Sequence, residues 1–383
     1  MTEISESIQK LGSYIKSEDY KGYDPYDILM SPVFKLPILK DNKFLRFGSQ
    51  QIFRRIPFNV RGLLKIKKGL NPVTLGLCLQ SYTYLSEVFG PQKNFYISEI
   101  SKLQDGLIKS ASKGFGGICW GYDFDWEARY AKFAAYSPTI VATGIITNAL
   151  FENYKITGNQ KSLSLLLESV NFLNDLNKTF EGDNFCFSYS PFDNQIVFNA
   201  TMLGARMLSQ VYSINGNESL KEEAIRTVLF VIKRQSENGA WAYSQGDSRN
   251  WTDNFHTGYV IECLFDYIGL TADEDIKENL NSAIEFYLKN FILSNGIVKY
   301  YSNSIYPIDS TAIAQSIITL SKVGFIDEAN KIIKWAIANM QDEKGFFYYQ
   351  KKKCYTNKIS YMRWSNAWMF LALSLFLYKN KIR

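Results

Sequence analysis

Two kinds of helical segment alternate along most of the chain. Six segments are apolar on nearly every side, which predicts buried helices because such a helix has no polar face for water. These segments are residues 74–89, 138–154, 196–212, 254–267, 310–323 and 364–378. Segments that are apolar on one side only follow the first five of them and predict helices that face solvent. They are residues 97–110, 162–180, 219–235, 273–291 and 327–340.

The apolar segments recur with a regular spacing. Their ends fall roughly 55 to 58 residues apart, which is typical of a repeat architecture. The alternation predicts an all-α fold, an (α/α)6 barrel or toroid with buried inner helices and amphipathic outer helices. An amphipathic segment at residues 3–17 supplies the missing outer helix and closes the ring. We expect one domain over residues 1–383, with residues 18–68 an irregular segment packed on the ring.

Each outer segment ends in a glycine that is followed by aromatic or apolar residues. These turns are residues 116–120, 182–185, 238–241, 295–298 and 345–348. We expect the glycines to form left-handed C-caps and the following side chains to pack over the helix ends. The loops QSENGAWAY and QDEKGFFYY resemble the glutamine–aromatic turns of the α/α-toroid superfamily, which includes terpenoid cyclases, protein prenyltransferase β-subunits and carbohydrate-active barrels.

A second resemblance covers nearly the whole chain from Tyr23. It rests on the motifs YDPYD, NPVTLGL, CWGYDFDW, DNFHTGY and MRWSNAWMFLAL. Together these motifs resemble an uncharacterised bacterial and archaeal toroid family that is found among genes for capsular or exopolysaccharide synthesis. The resemblance implies a surface-glycan context, and likeness to toroids implies a pocket at one end of the inner helices. Neither resemblance implies a particular reaction.

Charge and composition narrow the classes of partner. The chain of 383 residues has a net charge of +6 but spreads its basic residues, so nucleic acid is not indicated and an acidic substrate would suit it. A basic cluster at residues 54–68 is either a solvated face or a rim for an anionic ligand. The five cysteines form no CxxC pair and there is one histidine, which is a poor ligand set for zinc.

The hydropathy of the chain bears on its location. The N-terminus lacks the apolar core of a signal peptide, and the longest apolar run, residues 367–378, is too short to cross a bilayer. We therefore expect a cytoplasmic protein without a transmembrane segment, and a peripheral place at the inner membrane stays open. The expected partner is a glycan or a lipid-linked oligosaccharide. The oligomeric state is not predicted.

His256, the one histidine, lies at the mouth of a predicted inner helix. A lone histidine is more often a satisfied core residue than a catalyst. Here Asp253, Asn254 and Thr257 flank it, and a neighbouring carboxylate can poise an imidazole for general acid–base work near neutral pH. We therefore predict that His256 and Asp253 are catalytic.

The loop from Trp120 to Trp126 places two carboxylates among four aromatic rings. Asp123 and Asp125 can act as acid and base on a sugar, and Trp120, Tyr122 and Trp126 can form sugar platforms. Two alternatives stay open: a divalent metal on Asp123 and Asp125, and a turn held by Asx hydrogen bonds. The loop also resembles the acid motif of class II terpene cyclases, but Trp126 stands where that motif has a further aspartate. We predict no other cofactor.

More polar residues fall near the same mouth. Aligning the inner segments on their final tyrosines brings three candidate N-caps or substrate ligands to one height, namely Asn199, Asn254 and Asp309. Arg363 and Trp364 lie near that level, and Arg129 or Arg363 supplies a cation for a sugar carboxylate. Several tyrosines can deliver a proton or bind a sugar ring. They are Tyr122, Tyr130, Tyr189, Tyr243 and Tyr259.

These residues support three hypotheses. The first is an enzyme acting on an acidic surface glycan: a uronate lyase or C5-epimerase in which His256 or a tyrosine removes a proton, or a glycoside hydrolase with two carboxylates. The second is an isoprenoid-handling toroid, and the third is a non-catalytic glycan-binding scaffold. They predict different interiors. The first predicts Asp123 or Asp125, Asp253 and His256 converging on one open polar cleft, the second a deep apolar cavity, and the third a filled ring.

Overall fold

A computed structural model describes residues 2–129, 131–246 and 248–382. Within these residues fourteen α-helices and nine short strands are joined by turns and loops. The helices are α1 (Thr2–Ser17), α2 (Pro37–Lys40), α3 (Lys43–Phe53), α4 (Pro72–Val88), α5 (Lys93–Lys109), α6 (Ile140–Thr157), α7 (Gln160–Ser169), α8 (Phe198–Asn215), α9 (Glu218–Ile232), α10 (Asn254–Thr271), α11 (Lys277–Phe291), α12 (Ser310–Lys322), α13 (Ile326–Met340) and α14 (Trp368–Ile382). The strands are β1 (Trp126–Glu127), β2 (Lys132–Phe133), β3 (Lys178–Glu181), β4 (Asn184–Phe187), β5 (Ile196–Val197), β6 (Ser244–Gln245), β7 (Ile308–Asp309), β8 (Gln350–Lys351) and β9 (Thr356–Asn357).

Six inner helices form a closed ring. Each of α4, α6, α8, α10 and α12 packs on the next inner helix, and α14 packs back on α4. The outer helices α5, α7, α9, α11 and α13 each pack behind the inner helix that precedes them. Helix α1 packs against α13 and α14 and so fills the sixth outer place. The predicted all-α toroid, closed by the N-terminal helix, is thereby confirmed.

The turns after the outer helices need glycine for a reason other than capping. Gly239, Gly296 and Gly345 have φ of +87°, +83° and +97°. A Cβ atom on each would lie 2.3–2.6 Å from a main-chain oxygen of the next outer helix, including that of Lys10 in α1. The C-caps of the outer helices themselves are not glycine. The expectation of left-handed glycine C-caps there was wrong, because the close approach between neighbouring repeats is what demands glycine.

Two glutamines fasten these turns to the following outer helix. The side-chain amide of Gln235 donates to the carbonyl of Gly239 in its own turn and to that of Asn279 in α11. Gln341 repeats the arrangement, because its amide donates to Gly345 and to the carbonyl of Ser7 in α1. The Ser7 hydroxyl donates back to Gln341 Oε1 at 2.7 Å. The first helix is therefore joined to the last repeat by the same contacts that join two consecutive repeats.

Pairs of strands set the height of the loops before the inner helices. All the ladders are antiparallel: β1 with β2, β3 with β4, β5 with β6, β7 with β8, and β8 with β9. Strand β5, just before α8, pairs with β6 in the loop before α10, and β7, just before α12, pairs with β8 in the loop before α14. These short ladders hold the loops of successive repeats side by side at the N-terminal ends of the inner helices.

Three predicted segments differ from the structure. The outer segment 162–180 ends as an α-helix at Ser169, continues as a 3-10 helix to Asp175, and then enters the β3–β4 hairpin. The last inner helix begins at Trp368 rather than Trp364, after a π-helical turn at Met362–Ala367. Residues 18–68 contain α2 and α3, so calling the whole segment irregular was wrong.

The segment 18–68 has a small core of its own. Ile28, Leu29, Phe34, Phe53 and Ile66 form a buried cluster that is separate from the core of the ring. Their burial explains why a stretch without a long apolar run still folds onto the ring. Within the described residues, no helix is both long and apolar enough to cross a membrane.

Candidate active site at the mouth of the ring

A three-residue pattern, an apolar residue and then a tyrosine two positions later, recurs in five repeats. The pairs are Trp120 and Tyr122, Phe187 and Tyr189, Trp241 and Tyr243, Val298 and Tyr300, and Phe347 and Tyr349. The first member is at most 3% exposed in every pair. Because side chains two apart in an extended segment share a face, the buried residue fixes where the tyrosine points. Tyr300 and Tyr349 were not predicted, and this spacing after each turn is the signal that would have found them.

The main chain of these tyrosines is joined to the inner helices. In four repeats the amide of the first helical residue donates to the carbonyl of the tyrosine in the following loop. The donor–acceptor pairs are Ile140 and Tyr189 (3.0 Å), Phe198 and Tyr243 (3.4 Å), Asn254 and Tyr300 (2.9 Å), and Ser310 and Tyr349 (3.1 Å). The tyrosines therefore gather where the N-terminal ends of α6, α8, α10 and α12 meet, and we call this region the mouth.

Burial keeps the hydroxyls of the mouth protonated. It raises the pKa of Tyr122, Tyr189, Tyr243, Tyr300 and Tyr349 above the ordinary value. Tyr349 is buried, and the other four stay partly exposed. A neutral phenol remains able to donate a hydrogen bond as well as accept one. The mouth is thus lined with hydroxyl donors that suit oxygen-rich ligands.

Asp253 and His256 form a tight pair at the start of α10. Asp253 is the N-cap: its Oδ1 accepts from the main-chain amide of His256 at 3.0 Å. Its Oδ2 lies 2.7 Å from Nδ1 of His256 and also accepts from Nε1 of Trp251 at 3.0 Å. A neutral imidazole held in this way carries its proton on Nδ1, which leaves Nε2 as an acceptor.

The two members of the pair differ in access to solvent. The side chain of Asp253 is 1% exposed and that of His256 is 20% exposed. Tyr243 and Phe255 flank the imidazole, with ring centroids 4.4 and 3.9 Å away, and Tyr259 lies at 6.4 Å. The carboxylate is therefore buried behind the imidazole, and the imidazole is the part that a ligand in the mouth can reach.

Asn199 faces the same small cavity as this pair. The cavity, of about 10 Å³, is lined by Asn199, Asp253 and His256 together with Tyr243 and Thr257 among others. Asn199 is 4% exposed, and its Oδ1 has no hydrogen-bond partner among the described residues. A buried acceptor without a donor is costly unless a ligand or water supplies one. Asn199 is not an N-cap, because Val197 holds that place in α8, and its role as a ligand residue stays a prediction.

The position of His256 is occupied by alanine in other repeats. The amide-to-tyrosine bonds make Ile140, Phe198, Asn254 and Ser310 equivalent first residues of inner helices. Counting two residues further gives Ala142 in α6, Ala200 in α8, His256 in α10 and Ala312 in α12. All three alanines are 0% exposed. A methyl group is enough to pack this position in those three repeats, so packing alone does not explain why α10 has a histidine there.

Arg363 joins the Tyr122 side of the mouth to the histidine side. Its Nε donates to Oδ2 of Asp24 at 2.7 Å. Its guanidinium lies 4.6 Å from the ring centroid of Tyr122 and 5.2 Å from that of Trp364. Trp364 in turn meets Phe255, which touches His256. The predicted residues Tyr122, Arg363 and Trp364 are thus connected to His256 by a continuous series of contacts.

The two carboxylates of the WGYDFDW loop do different things. Asp123 Oδ1 accepts from Nδ2 of Asn71 at 2.6 Å, and burial raises the pKa of Asp123 to about 6. Asp125 Oδ1 accepts from the amide of Ala135 at 2.8 Å and so holds the β1–β2 hairpin. The described residues contain no group of three or more His, Cys, Asp or Glu placed to hold a metal ion. The divalent metal on Asp123 and Asp125 stays an untested prediction.

Asp123 and the Asp253–His256 pair do not share a cavity. Asp123 lines a cavity of about 40 Å³ with Asp24 and Arg363, whereas Asp253 and His256 line the smaller one. Asp125 belongs to neither lining. The prediction that these carboxylates and His256 converge on one open cleft was therefore wrong. Arg363, which lines the cavity of Asp123, is linked to His256 through Trp364 and Phe255.

Three predicted ligand residues are structural. Trp120 is 0% exposed and its Nε1 donates to the carbonyl of Leu107 at 2.8 Å, so it anchors the loop and cannot be a sugar platform. Asn254 is fully buried and bonds to Ser316 and Tyr287. Asp309 is fully buried as the N-cap of α12 and accepts from Nε2 of Gln350 at 2.6 Å. For Asp309 the capping alternative is the correct one.

Trp126 and Arg129 lie at the edge of the mouth. Trp126 stacks on Phe133 at 4.3 Å and approaches Tyr189 at 6.1 Å, which leaves it beside the tyrosines. Arg129 is exposed, and its Nη1 donates to the Ser248 hydroxyl at 2.6 Å. The predicted candidate Tyr130 lies outside the described residues.

Solved structures with the same architecture were found, although no protein-family model and no curated protein matches the sequence. A cellobiose 2-epimerase from Bacillus thermoamylovorans superposes with a TM-score of 0.64 at 13% identity, over 82% of this chain and 90% of that one. A family 76 glycoside hydrolase (mannosidase) from Bacteroides thetaiotaomicron superposes with a TM-score of 0.63 at 10% identity, over 99% and 100%. The chain has the fold of the (α/α)6 toroids.

A third similar structure extends the range of chemistries found on this fold. A polysaccharide lyase superposes with a TM-score of 0.55 at 9% identity, over 80% of this chain and 89% of that one. At such identities the likeness shows a shared fold and does not transfer a reaction. Membership of the capsule-associated family stays a prediction.

Proposed function

We propose that this protein is a glycan-modifying enzyme that moves a proton at a sugar carbon, with Nε2 of His256 as the base. The observation that carries the proposal is the histidine at a position where three other repeats place a buried alanine. Its N-cap partner Asp253 fixes the tautomer, and the imidazole faces a mouth of neutral tyrosine hydroxyls. Such a pair orients the base and stabilises the imidazolium that forms.

The proposed step is proton removal next to a carbonyl or carboxylate carbon of the sugar. Nε2 of His256 takes the proton from that carbon, and the electron pair of the C–H bond moves toward the carbonyl or carboxylate oxygen. A tyrosine hydroxyl or an arginine stabilises the charge that develops there. Return of a proton from a tyrosine hydroxyl of the mouth to the opposite face gives an epimer. If the C–O bond at the neighbouring carbon breaks instead, the leaving oxygen takes the proton of a tyrosine hydroxyl and an unsaturated sugar remains, as in a lyase.

The charge of the mouth supports an acidic substrate. Arg54 is partly buried, and its Nη1 donates to the Tyr26 hydroxyl at 2.7 Å. Nearby Arg46 and Arg61 are buried in ion pairs with Glu127 and Asp27, but no described carboxylate pairs with Arg54. A guanidinium left without a carboxylate at the edge of the mouth is suited to bind one on a ligand.

The comparisons support sugar chemistry at a coarser level. The similar structures are named as an epimerase, a mannosidase and a polysaccharide lyase, all of which act on sugars. The resemblance of the sequence motifs to a capsule-associated family supports a surface polysaccharide or its lipid-linked repeat unit as the substrate. Within this range, the Asp253–His256 geometry favours epimerisation or elimination.

Glycoside hydrolysis is a second candidate, supported by Asp123. Burial raises the pKa of this carboxyl to about 6, which suits a general acid near neutral pH. A hydrolase needs a second carboxylate across the scissile bond. Asp253 is buried in its bonds to His256 and Trp251, and Asp125 holds a hairpin. The proton-transfer mechanism is therefore preferred.

Buried charged side chains inside the ring argue against an isoprenoid substrate. Below the mouth, Arg206 on α8 pairs with Asp266 and lies 4.0 Å from Glu262 on α10, and Lys322 on α12 pairs with Asp266 at 2.5 Å. All four side chains are at most 15% exposed. Charged groups fill the region in which a hydrocarbon ligand would need an apolar cavity.

The proposal is tested by incubating the full-length protein with uronate-containing and neutral glycans in D2O. Deuterium uptake into the sugar reports proton transfer, new ultraviolet absorbance reports elimination, and new reducing ends report hydrolysis. We expect deuterium uptake or elimination on an acidic glycan and none with His256→Ala. New reducing ends that survive His256→Ala and disappear with Asp123→Asn would replace the proposal by the hydrolase. If His256→Ala retains wild-type turnover, the histidine is removed from the mechanism.

A further inference from the structure

The segment 30–68 exposes more apolar surface than any other part of the described chain. The five most exposed large apolar side chains of the described residues all lie in it. They are Phe44 (87%), Leu63 (84%), Ile38 (80%), Ile52 (67%) and Phe58 (64%). Val33, Leu36 and Leu45 are exposed beside them. Several large apolar side chains exposed within one short segment indicate an interaction site.

Helix α3 shows that this exposure is built into the local fold. Its polar residues Arg46 and Gln50 are buried, and both bond to Glu127 in β1. Phe44 and Ile52 stand on the outside of the same helix. Phe53 of the same helix is buried with Arg46 and Gln50, so α3 has apolar side chains on both faces. An exposed face that carries Phe44 and Ile52 is expected of an element whose outer face is covered by an apolar partner.

The charge of the segment identifies the kind of partner. Residues 30–68 contain ten lysines and arginines and one acidic residue, Asp41. Two of the cations, Arg46 and Arg61, are buried in ion pairs, and Lys68 pairs with Glu18. Six further cations are exposed among the apolar side chains, namely Lys35, Lys40, Lys43, Arg55, Lys65 and Lys67. We call these cations and the exposed apolar residues the basic apolar surface.

We propose that the basic apolar surface docks on an anionic lipid bilayer. Apolar side chains interleaved with lysine are the pattern that inserts into the headgroup region while the ammonium groups meet anionic lipids. A second copy of the chain is a poorer occupant, because a two-fold interface would bring two strongly positive faces together. Nucleic acid would satisfy the lysines but would leave Ile38, Phe44 and Leu63 in water.

Arg54 of the same segment is joined to the mouth through Tyr26, which lies just before the segment. Tyr26 contacts Trp364, with ring centroids 5.7 Å apart, and Arg54 donates to the Tyr26 hydroxyl. A bilayer on the basic apolar surface would therefore lie beside the proposed active site. Such a bilayer would bring a lipid-linked glycan to that site, and this part of the inference rests on the proposed function. Docking itself follows from the surface alone.

Vesicle sedimentation tests the docking. The full-length protein is mixed with vesicles of phosphatidylcholine alone or with phosphatidylglycerol added, at about 0.05 M and about 0.5 M salt. We expect binding to the anionic vesicles that falls at least about tenfold at the higher salt, and little binding to the neutral ones. If the wild-type protein ignores anionic vesicles at low salt, the proposal is overturned.

Two pairs of matched variants separate the surface from general effects. Phe44→Ser/Ile52→Ser should weaken binding at least about tenfold, while Phe180→Ser/Ile305→Ser, exposed elsewhere, should not. Lys40→Glu/Lys43→Glu should weaken it at least about tenfold, while Lys331→Glu/Lys334→Glu on α13 should have a much smaller effect.

Two outcomes would count against the bilayer as the occupant. Equal losses in surface and control variants would mean that the attraction is unspecific. A wild-type dimer in sedimentation velocity that Phe44→Ser/Ile52→Ser converts to a monomer would make a second copy the occupant. His256→Ala should sediment with vesicles like the wild type, so a failed reaction and a failed docking site are told apart.

Discussion

The inner helices α10 and α12 begin in the same way but differ at their third residue. Each starts after a buried aspartate N-cap, Asp253 or Asp309, and each donates its first amide to the tyrosine carbonyl of the next loop. In α12 the residue at the third helical position is a buried alanine, and Asp309 bonds to a glutamine side chain. In α10 that position holds His256, whose Nδ1 bonds to Oδ2 of Asp253, the oxygen that also accepts from Trp251.

This difference shows how a repeat scaffold can carry a site. The capping aspartate is needed by the helix in both repeats, since it satisfies amides that the helix leaves unpaired. Adding one imidazole at the third position turns the cap of α10 into an oriented acid–base pair. The tyrosine contact and the turn glycine are present in both repeats.

Replacing His256 by alanine makes α10 like α12 and should give the largest effect. We expect turnover of a responsive glycan to fall by about 10³-fold, because the base is lost. The free energy of unfolding should change by less than about 1 kcal/mol, since three repeats accept alanine there. Deuterium uptake and urea denaturation measure the two quantities. A large loss of stability with unchanged turnover would assign the histidine to packing.

The paired substitutions Asp253→Asn and Asp309→Asn should separate the two caps. Asparagine still caps a helix but cannot accept from both the imidazole and Trp251 as the carboxylate does. We expect Asp253→Asn to lower kcat by about 10²-fold. Asp309→Asn should leave kcat within about twofold. Equal losses in the two variants would contradict the distinction between α10 and α12.

The turn glycines should be equally sensitive in the two repeats. Gly239→Ala and Gly296→Ala each put a Cβ within 2.6 Å of the main chain of the next outer helix at positive φ. Each should lower the free energy of unfolding by about 2–3 kcal/mol. Gly182→Ala is the matched control, since its φ is +59° with nothing within 4 Å, and should cost only about 1 kcal/mol. Equal costs at all three sites would show that φ alone sets the requirement.

Asp123 should give the smallest effect, and it depends on pH. Burial raises its folded pKa from 3.8 to about 6, so its contribution to stability is present at low pH and is lost as pH rises from about 4 through 6. Asp123→Asn keeps an acceptor for Asn71 and removes the decrease in stability that the wild type shows as pH rises. We expect the variant to gain about 0.5–1 kcal/mol over the wild type on going from pH 4.5 to 7.5. A constant difference across that range would contradict the raised pKa.

The order of inner and outer helices could be predicted because apolar helix surfaces must be buried away from water. A helix such as α4 that is apolar on all sides is stable only in the interior. Six inner segments are followed by only five outer ones, so α1 was needed as the sixth outer helix. The end of α7 was predicted too late, at Phe180 rather than Ser169, because apolar residues of the following 3-10 helix, such as Val170 and Leu173, continue the helical spacing.

The site was predicted only where the main chain fixes a side chain. Asp253 and His256 are three residues apart at a helix start, so the cap places them together whatever the rest of the fold does. Asp123 and Asp125 lie in a loop, where the direction of each side chain depends on distant partners such as Asn71 and Ala135. Sequence spacing alone could not place those carboxylates.

The way the ring closes has a consequence for synthesis of the chain. Ser7 in α1 bonds to Gln341, 334 positions later, and α1 also packs on the final helix α14. On the ribosome α1 is made well before α13 and α14, so its apolar face has to wait through the 334 positions that separate Ser7 from Gln341. That face consists of Ile4, Ile8, Leu11 and Ile15. Translation that stops before α14 leaves this stripe without its partner, and a nascent chain of this protein therefore needs shielding until α14 has emerged.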